Sequence, residues 1–339
     1  MRVYFTIDTE SSIGGAWRHP DRRPVPAARH VFCRIGEEDF GIPLLTRMLA
    51  EHGFHGTFFV ETLATRCLGE ADSRSIFDFL LAANQDVQLH IHPVFYFYDE
   101  AQKSRRMDAS VFTSGTMDFI GQFSPQVQLD LLGEAVTFFE RFAGYRPSAF
   151  RAGCFAGSRA MLRTLHSLGI RIDSSFNPCY PQLSFPGETL CANLVTKIDD
   201  VWEFPVTVAR TLLPEGHGGF KFADCTSLSF HEMRTMLDTA SESGLQHFVI
   251  VFHSFSAVKA RDETYSALRP NRIVIRRLQK LFKYLADQSA RFTVDTFGDV
   301  ARRTEMLDQE AQSSMVPVLP VMRSLARKTV QALNNYYWL

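Results

Sequence analysis

The chain has 339 residues, 45% of them hydrophobic and 22% charged, with a formal net charge of −1. The hydrophobic share is ordinary for a soluble globular enzyme, and the near-zero charge excludes any global drive toward nucleic acid or anionic membrane. The length fits one large α/β domain with extensions or two smaller domains.

Residues 2–8, RVYFTID, are β-branched and aromatic and end in a carboxylate, which predicts a strand. No basic region, long apolar run or small-residue cleavage site precedes them, so no export signal is expected. A loop of Gly, Pro and Arg follows from about 11 to 35. Residues 42–52 have helical apolar spacing, with Gly53 as the stop. GTFFVE at 56–61 predicts a short strand, residues 73–84 a helix capped by Ser73, and DVQLHIH at 86–92 a third strand. Strands alternating with helices imply βα units and a parallel sheet.

Residues 94–124 are rich in Tyr, Ser and Gly and too long for a simple connection. Such an insertion either shapes a substrate cleft or is a surface excursion. Regularity returns with a helix over 124–144, a strand at SAFRAG, a helix near 158–168 and a strand at GIRIDSS, 169–175. Strands are expected at 202–206 and 247–253, then a helix over 271–288 leading into a last strand at RFTVDTF. About eight strands, mostly separated by helices, point to a closed or distorted β/α barrel. Aromatic residues reach 12%, with 30 Phe, which suits a packed core or a sugar-contacting cleft.

No run of about 18 uncharged apolar residues occurs, so no spanning helix is expected. Cys33, Cys67, Cys154, Cys179, Cys191 and Cys225 are scattered without a CxxC pair and read as reduced thiols, so the expected compartment is cytoplasmic. From about 311 the chain is basic, with Arg323, Arg327 and Lys328 and no acidic residue after Glu310. A basic amphipathic helix there docks on the barrel or rests peripherally on a membrane surface.

Side chains at i and i+2 of a strand share a face. Asp8 and Glu10 therefore stand together at the end of the first strand, and His90 and His92 at the end of the third. Both pairs belong at the carboxyl rim, where sites of such barrels lie. Imidazoles with a carboxylate, and one position left for water, suit catalytic zinc; cobalt, nickel and iron accept the same donors. Arg151, Asp173 and His253 sit at or just beyond other strand ends. Each of these residues also has a plain structural reading, as a cap, an ion pair or a buried histidine.

FTIDTE, HGTFFVE, VQLHIHP, FRAG, IDSS and VIVFHSF, in this order, resemble the motifs of the NodB-homology polysaccharide deacetylases, the family-four carbohydrate esterases. The resemblance spans about residues 2–300 and is strongest to the subgroup tied to lipopolysaccharide and surface-glycan assembly. It implies a distorted (β/α)7 barrel, assigned to residues 1–305; the residues beyond it, 306–339, read from their own pattern as a helical extension. It also implies that Asp8 is the general base, with Glu10, His90 and His92 as ligands of a divalent metal. The family's usual second carboxylate is adjacent to the base, where this chain has Thr9, and its usual earlier histidine falls at Gln88. Glu10 and His90 are then the substitutes. Arg151 matches the arginine that orients the base, with Phe155 as the nearby aromatic. Asp173 and His253 match an acid and the histidine it orients, which protonates the leaving amine.

The implied reaction is removal of an acetyl or formyl group from an amino sugar of a bacterial surface polysaccharide or its lipid-linked precursor. Two alternatives stay open: an amidohydrolase-type metal hydrolase of a small amide, and a degenerate barrel that binds glycans without turnover. The HxH of amidohydrolase barrels normally closes the first strand, whereas here it closes the third.

Overall fold

Nine strands form one sheet in the computed structural model, which describes residues 1–19, 21–104, 116–213, 219–308 and 313–337. In chain order they are β1 (Arg2–Thr9), β2 (Thr57–Glu61), β3 (Asp86–Ile91), β4 (Ala149–Ala152), β5 (Ile172–Asp173), β6 (Thr196–Ile198), β7 (Val201–Glu203), β8 (His247–His253) and β9 (Thr293–Asp295). The spatial order is β8-β1-β2-β3-β4-β5-β7-β6, and every pairing from β8 to β7 is parallel. That makes seven parallel strands. The antiparallel β6 lies beyond β7, and β9 pairs only the first half of β1.

The curl of this sheet comes close to closing. Among the described residues no continuous ladder joins β7 and β8; instead Thr207 N–H donates to the Val249 carbonyl at 3.2 Å and Val251 N–H to the Ala223 carbonyl at 2.9 Å. The barrel is therefore distorted at one seam. Here the fold class implied by the resemblance is met.

Alternation along the strands builds two cores. Val3, Phe5 and Ile7 of β1 and Val87, Leu89 and Ile91 of β3 join the large outer cluster, packed against helices such as Ile42–Ala50 and Pro125–Ala143. Tyr4, Phe59, Ile172 and Phe204 form the inner cluster. Burying each large apolar side chain contributes roughly 1.5–3 kcal/mol, so the parity of each strand is strongly set. The even-numbered positions of β1 and β3 point inward.

Two expected boundaries differ. The second helix begins at Glu70, behind Gly69, so Ser73 is an interior residue whose hydroxyl meets Thr65 at 2.7 Å rather than a cap. The 94–124 segment begins as a regular helix, Pro93–Ser104; residues 105–115 lie outside the described residues. The last helix, Val321–Tyr337, lies against the helix Phe230–Glu242. Among the described residues no helix is long and apolar enough to cross a membrane.

Candidate metal centre and active site

Inward parity carries Thr6, Asp8 and then Glu10 along one row, and Gln88, His90 and then His92 along another. The rows converge at the carboxyl rim. Glu10 Oε2 lies 3.2 Å from His90 Nε2 and 2.6 Å from His92 Nε2. One ligand atom of each of the three residues lies within 4.8 Å of the others.

The far nitrogens of both rings are anchored. His90 Nδ1–H donates to the Arg151 carbonyl at 2.8 Å. A carbonyl only accepts, so the proton of a neutral His90 is on Nδ1 and its Nε2 presents a lone pair to Glu10. Two facing lone pairs repel unless a proton or cation lies between them. His92 Nδ1 meets Asp118 Oδ2 at 2.6 Å, the carboxylate–histidine arrangement that orients metal ligands. Two imidazole nitrogens and a carboxylate oxygen are the donor set of a catalytic divalent-metal site with an open position. The residues present fit the metal.

The electrostatics agree. Burial opposes the charged form of His92, but the carboxylates of Asp118 and Glu10 outweigh it and hold the ring well above its ordinary pKa. Burial likewise opposes ionisation of Glu10, and His92 and His90 outweigh it, holding the carboxyl well below its usual range. A place where positive charge is favoured this strongly suits a cation.

Three supporting residues stand outside the candidate site residues named above. Asp118 reaches His92 from the 94–124 segment and also accepts the Val94 N–H at 3.2 Å. No periodicity places it there. Glu61, at the end of β2, accepts the N–H of His92 and those of Leu63 at 2.5 Å and Ala64 at 3.2 Å; burial pushes its pKa up to about 8. Its inward parity with Phe59 was a readable signal. His30 Nδ1 lies 2.6 Å from the Glu10 carbonyl, and its ring packs 4.3 Å from both Phe255 and Tyr265; burial lowers its pKa to about 4.

Gly153 of the FRAG motif has a steric role. A Cβ there would come within 2.7 Å of the His92 ring and of the Ile91 carbonyl. Only glycine lets the ring seat.

Beside this centre lies a second polar line. Arg151, fully buried, reaches from β4 across the barrel interior to β1. It donates to Asp8 Oδ1 at 2.7 Å, Thr6 Oγ1 at 2.8 Å, and the Ser174 carbonyl and hydroxyl at 2.9 Å, and its guanidinium lies 4.5 Å over the Phe59 ring. With its fork so constrained, Asp8 is held in one orientation. Asp8 Oδ2 lies 3.9 Å from His253 Nε2. His253 is partly exposed, at the end of β8, which pairs Asp8 with His253 in register.

Asp173 stands apart from this line. Ile172 packs in the inner cluster, so the next residue turns to the opposite face, and Ser174 is the one that meets Arg151. Asp173 Oδ1 accepts from the Ser175 hydroxyl at 2.6 Å, and its register partner is Glu203. Among the described contacts it does not touch His253. Gln88 is also occupied elsewhere: its Oε1 accepts the N–H groups of Ser148 at 3.0 Å and Ala149 at 2.8 Å. Phe155 stacks on Tyr180, with ring centroids 5.8 Å apart.

The centre opens into a cleft of about 430 Å³, lined by Glu10, Ser12, His92, Asp118, Phe255 and Tyr265 among others. Fold and site together define a β/α-barrel protein with a two-histidine, one-carboxylate centre at its carboxyl rim. The comparisons narrow the fold further. Solved structures similar to this chain include a protein from Mycobacterium smegmatis provisionally named a polysaccharide deacetylase, at 15% identity over 93% of this chain and 94% of the other, with a TM-score of 0.54. A second, from Parabacteroides distasonis and provisionally named a glycoside hydrolase/deacetylase, matches at 12% identity over 92% of this chain and 72% of the other, with a TM-score of 0.59. The chain has the polysaccharide-deacetylase fold. No family model and no curated protein matches the sequence.

Proposed function

We propose that this protein is a metal-dependent hydrolase that removes an N-acyl group, acetyl or formyl, from an amino sugar. One observation carries the reading: Glu10 meets Nε2 of both His90 and His92 while acceptors fix both Nδ1 atoms, beside the Arg151–Asp8–His253 line. Motif order supports a surface polysaccharide or its lipid-linked precursor as the substrate. The donor set suits zinc first, with cobalt, nickel or iron as substitutes.

Glu10, His90 and His92 would hold the cation. When bound, it supplies Lewis acidity that acidifies water and polarises an acyl carbonyl. Asp8 acts as general base, its Oδ1 anchored by Arg151 and its Oδ2 free to take a proton from the attacking water. His253, with Nε2 3.9 Å from that oxygen and its ring partly open to solvent, gives a proton to the departing amine. Phe255 and Tyr265 offer apolar faces on which a sugar ring rests.

The test is metal content and amine release measured together. Wild-type protein should hold close to one divalent ion and release free amine from N-acetylglucosamine oligomers. Asp8→Asn should keep the metal and lose activity by about 10²–10⁴-fold, and His92→Ala should lose both. A chain that neither holds nor acquires a divalent ion, yet binds the oligomers, would instead be a glycan-binding barrel.

A further inference from the structure

The helix Val321–Tyr337 is docked with its polarity inverted. Helices on globular proteins normally bury an apolar stripe and expose a polar one. Here the buried residues are Ser324, Arg327 and Asn334. The Ser324 hydroxyl donates to Glu232 Oε1 at 2.7 Å, Arg327 Nε donates to the same carboxylate at 3.2 Å, and Lys259 Nζ donates to the Asn334 carbonyl at 2.7 Å.

The apolar residues face away from the protein. Met322 is 77% exposed, Leu325 45%, Leu333 50% and Tyr336 82%. At 3.6 residues per turn these four share an arc of about 80°. Of the ten exposed large hydrophobic side chains among the described residues, five lie on this helix. They are a concentrated patch rather than scattered surface residues.

The border of the patch is cationic. Arg323 and Val330 line a shallow groove of about 310 Å³ with Arg276 and Lys280 of the helix Arg272–Asp287, and among the described residues no acidic side chain lines it. Arg276 and Lys280 are exposed and form no ion pair among the described residues. Among the described residues Arg323 donates to neutral oxygens, the His231 carbonyl and the Thr235 hydroxyl.

We propose that this face lies on an anionic bilayer surface, with Met322, Leu325, Leu333 and Tyr336 at the headgroup–acyl boundary and Arg276, Lys280 and Arg323 against lipid phosphates. A second copy of the chain is the rival occupant. A two-fold pairing of this patch brings each copy's cations near those of the other, with no acid in the groove to relieve them. Anionic lipid supplies the missing charge. Lys259 also ties the helix to the hairpin whose loop carries Asp262, Glu263 and Tyr265 at the cleft, so the lipid-facing helix is joined directly to a wall of the candidate site.

The full-length protein should co-sediment with phosphatidylglycerol-rich vesicles and much less with pure phosphatidylcholine, and added salt should weaken the association. Leu325→Glu with Leu333→Glu should reduce partition to background, and Arg276→Glu with Lys280→Glu should reduce it about tenfold or more. Tyr336→Ser, at the most exposed position, gives an independent reading should the double variant melt early. Failure of the wild type to bind anionic vesicles overturns the proposal. So does equal binding by wild type and variants, or a dimer in light scattering that Leu333→Glu dissociates.

Discussion

After the three proposed ligands, the residue on which the candidate centre most rests is Asp118. It fixes the His92 ring through Nδ1 at 2.6 Å, and it comes from a stretch with no strand or helix periodicity. An outer-shell carboxylate of this kind is worth about 10–100-fold in metal affinity. Asp118→Ala should therefore weaken divalent-metal binding by about that factor in a competition titration against a chelating dye. Its far-ultraviolet circular dichroism should stay unchanged, since the residue lies outside the barrel strands. Undiminished affinity would mean that His92 is oriented by its backbone alone, through Glu61.

At the scale of elements, strand parity made most of the site legible. The strand expected over 247–253 is observed as His247–His253, and the i, i+2 rule placed Asp8 with Glu10 and His90 with His92 on converging rows. In GIRIDSS the same rule leaves the inward residue undecided; the structure turns Ile172 inward and Asp173 to the opposite face. The helix Phe230–Glu242 has a local signature of its own: Ser229 and Glu232 spell a capping box, which the structure forms. What no local pattern could show is the work of Gln88. Its side chain clamps β3 to the start of β4 by accepting two backbone N–H groups, so the usual earlier-histidine position is structural in this chain. Gln88→Ala would leave the buried Ala149 N–H unpaired, at about 1–3 kcal/mol. The urea midpoint should fall accordingly, while metal content stays at the wild-type level. A loss of metal with no loss of stability would return Gln88 to the site.

For the whole molecule, motif order fixed the barrel but not its imperfect side, where β5 and β7 carry a buried acid pair. Register sets Asp173 against Glu203, both essentially inaccessible, and Asp173 Oδ2 and Glu203 Oε2 have no donor among the described residues. Burial raises the pKa of both; for Glu203 the neighbouring Asp173 charge adds to this, lifting it well above its ordinary value, 4.5. Two such carboxyls in contact are satisfied by one shared proton. The unfolded chain gives up that proton near the ordinary carboxylate value, and the folded chain keeps it to higher pH. The folded state thus binds more protons in this window, and stability must fall as pH rises through it. Glu203→Gln replaces the shared proton with a permanent N–H, and its remaining oxygen can still accept the Phe176 N–H, now held at 2.8 Å. The variant's Tm relative to wild type should therefore climb as pH rises above the ordinary carboxylate range, with the smallest difference at the acid end. A constant offset across that rise would mean the pair holds no shared proton, and a shrinking one would mean that both carboxyls are ionised and stabilised by Arg151.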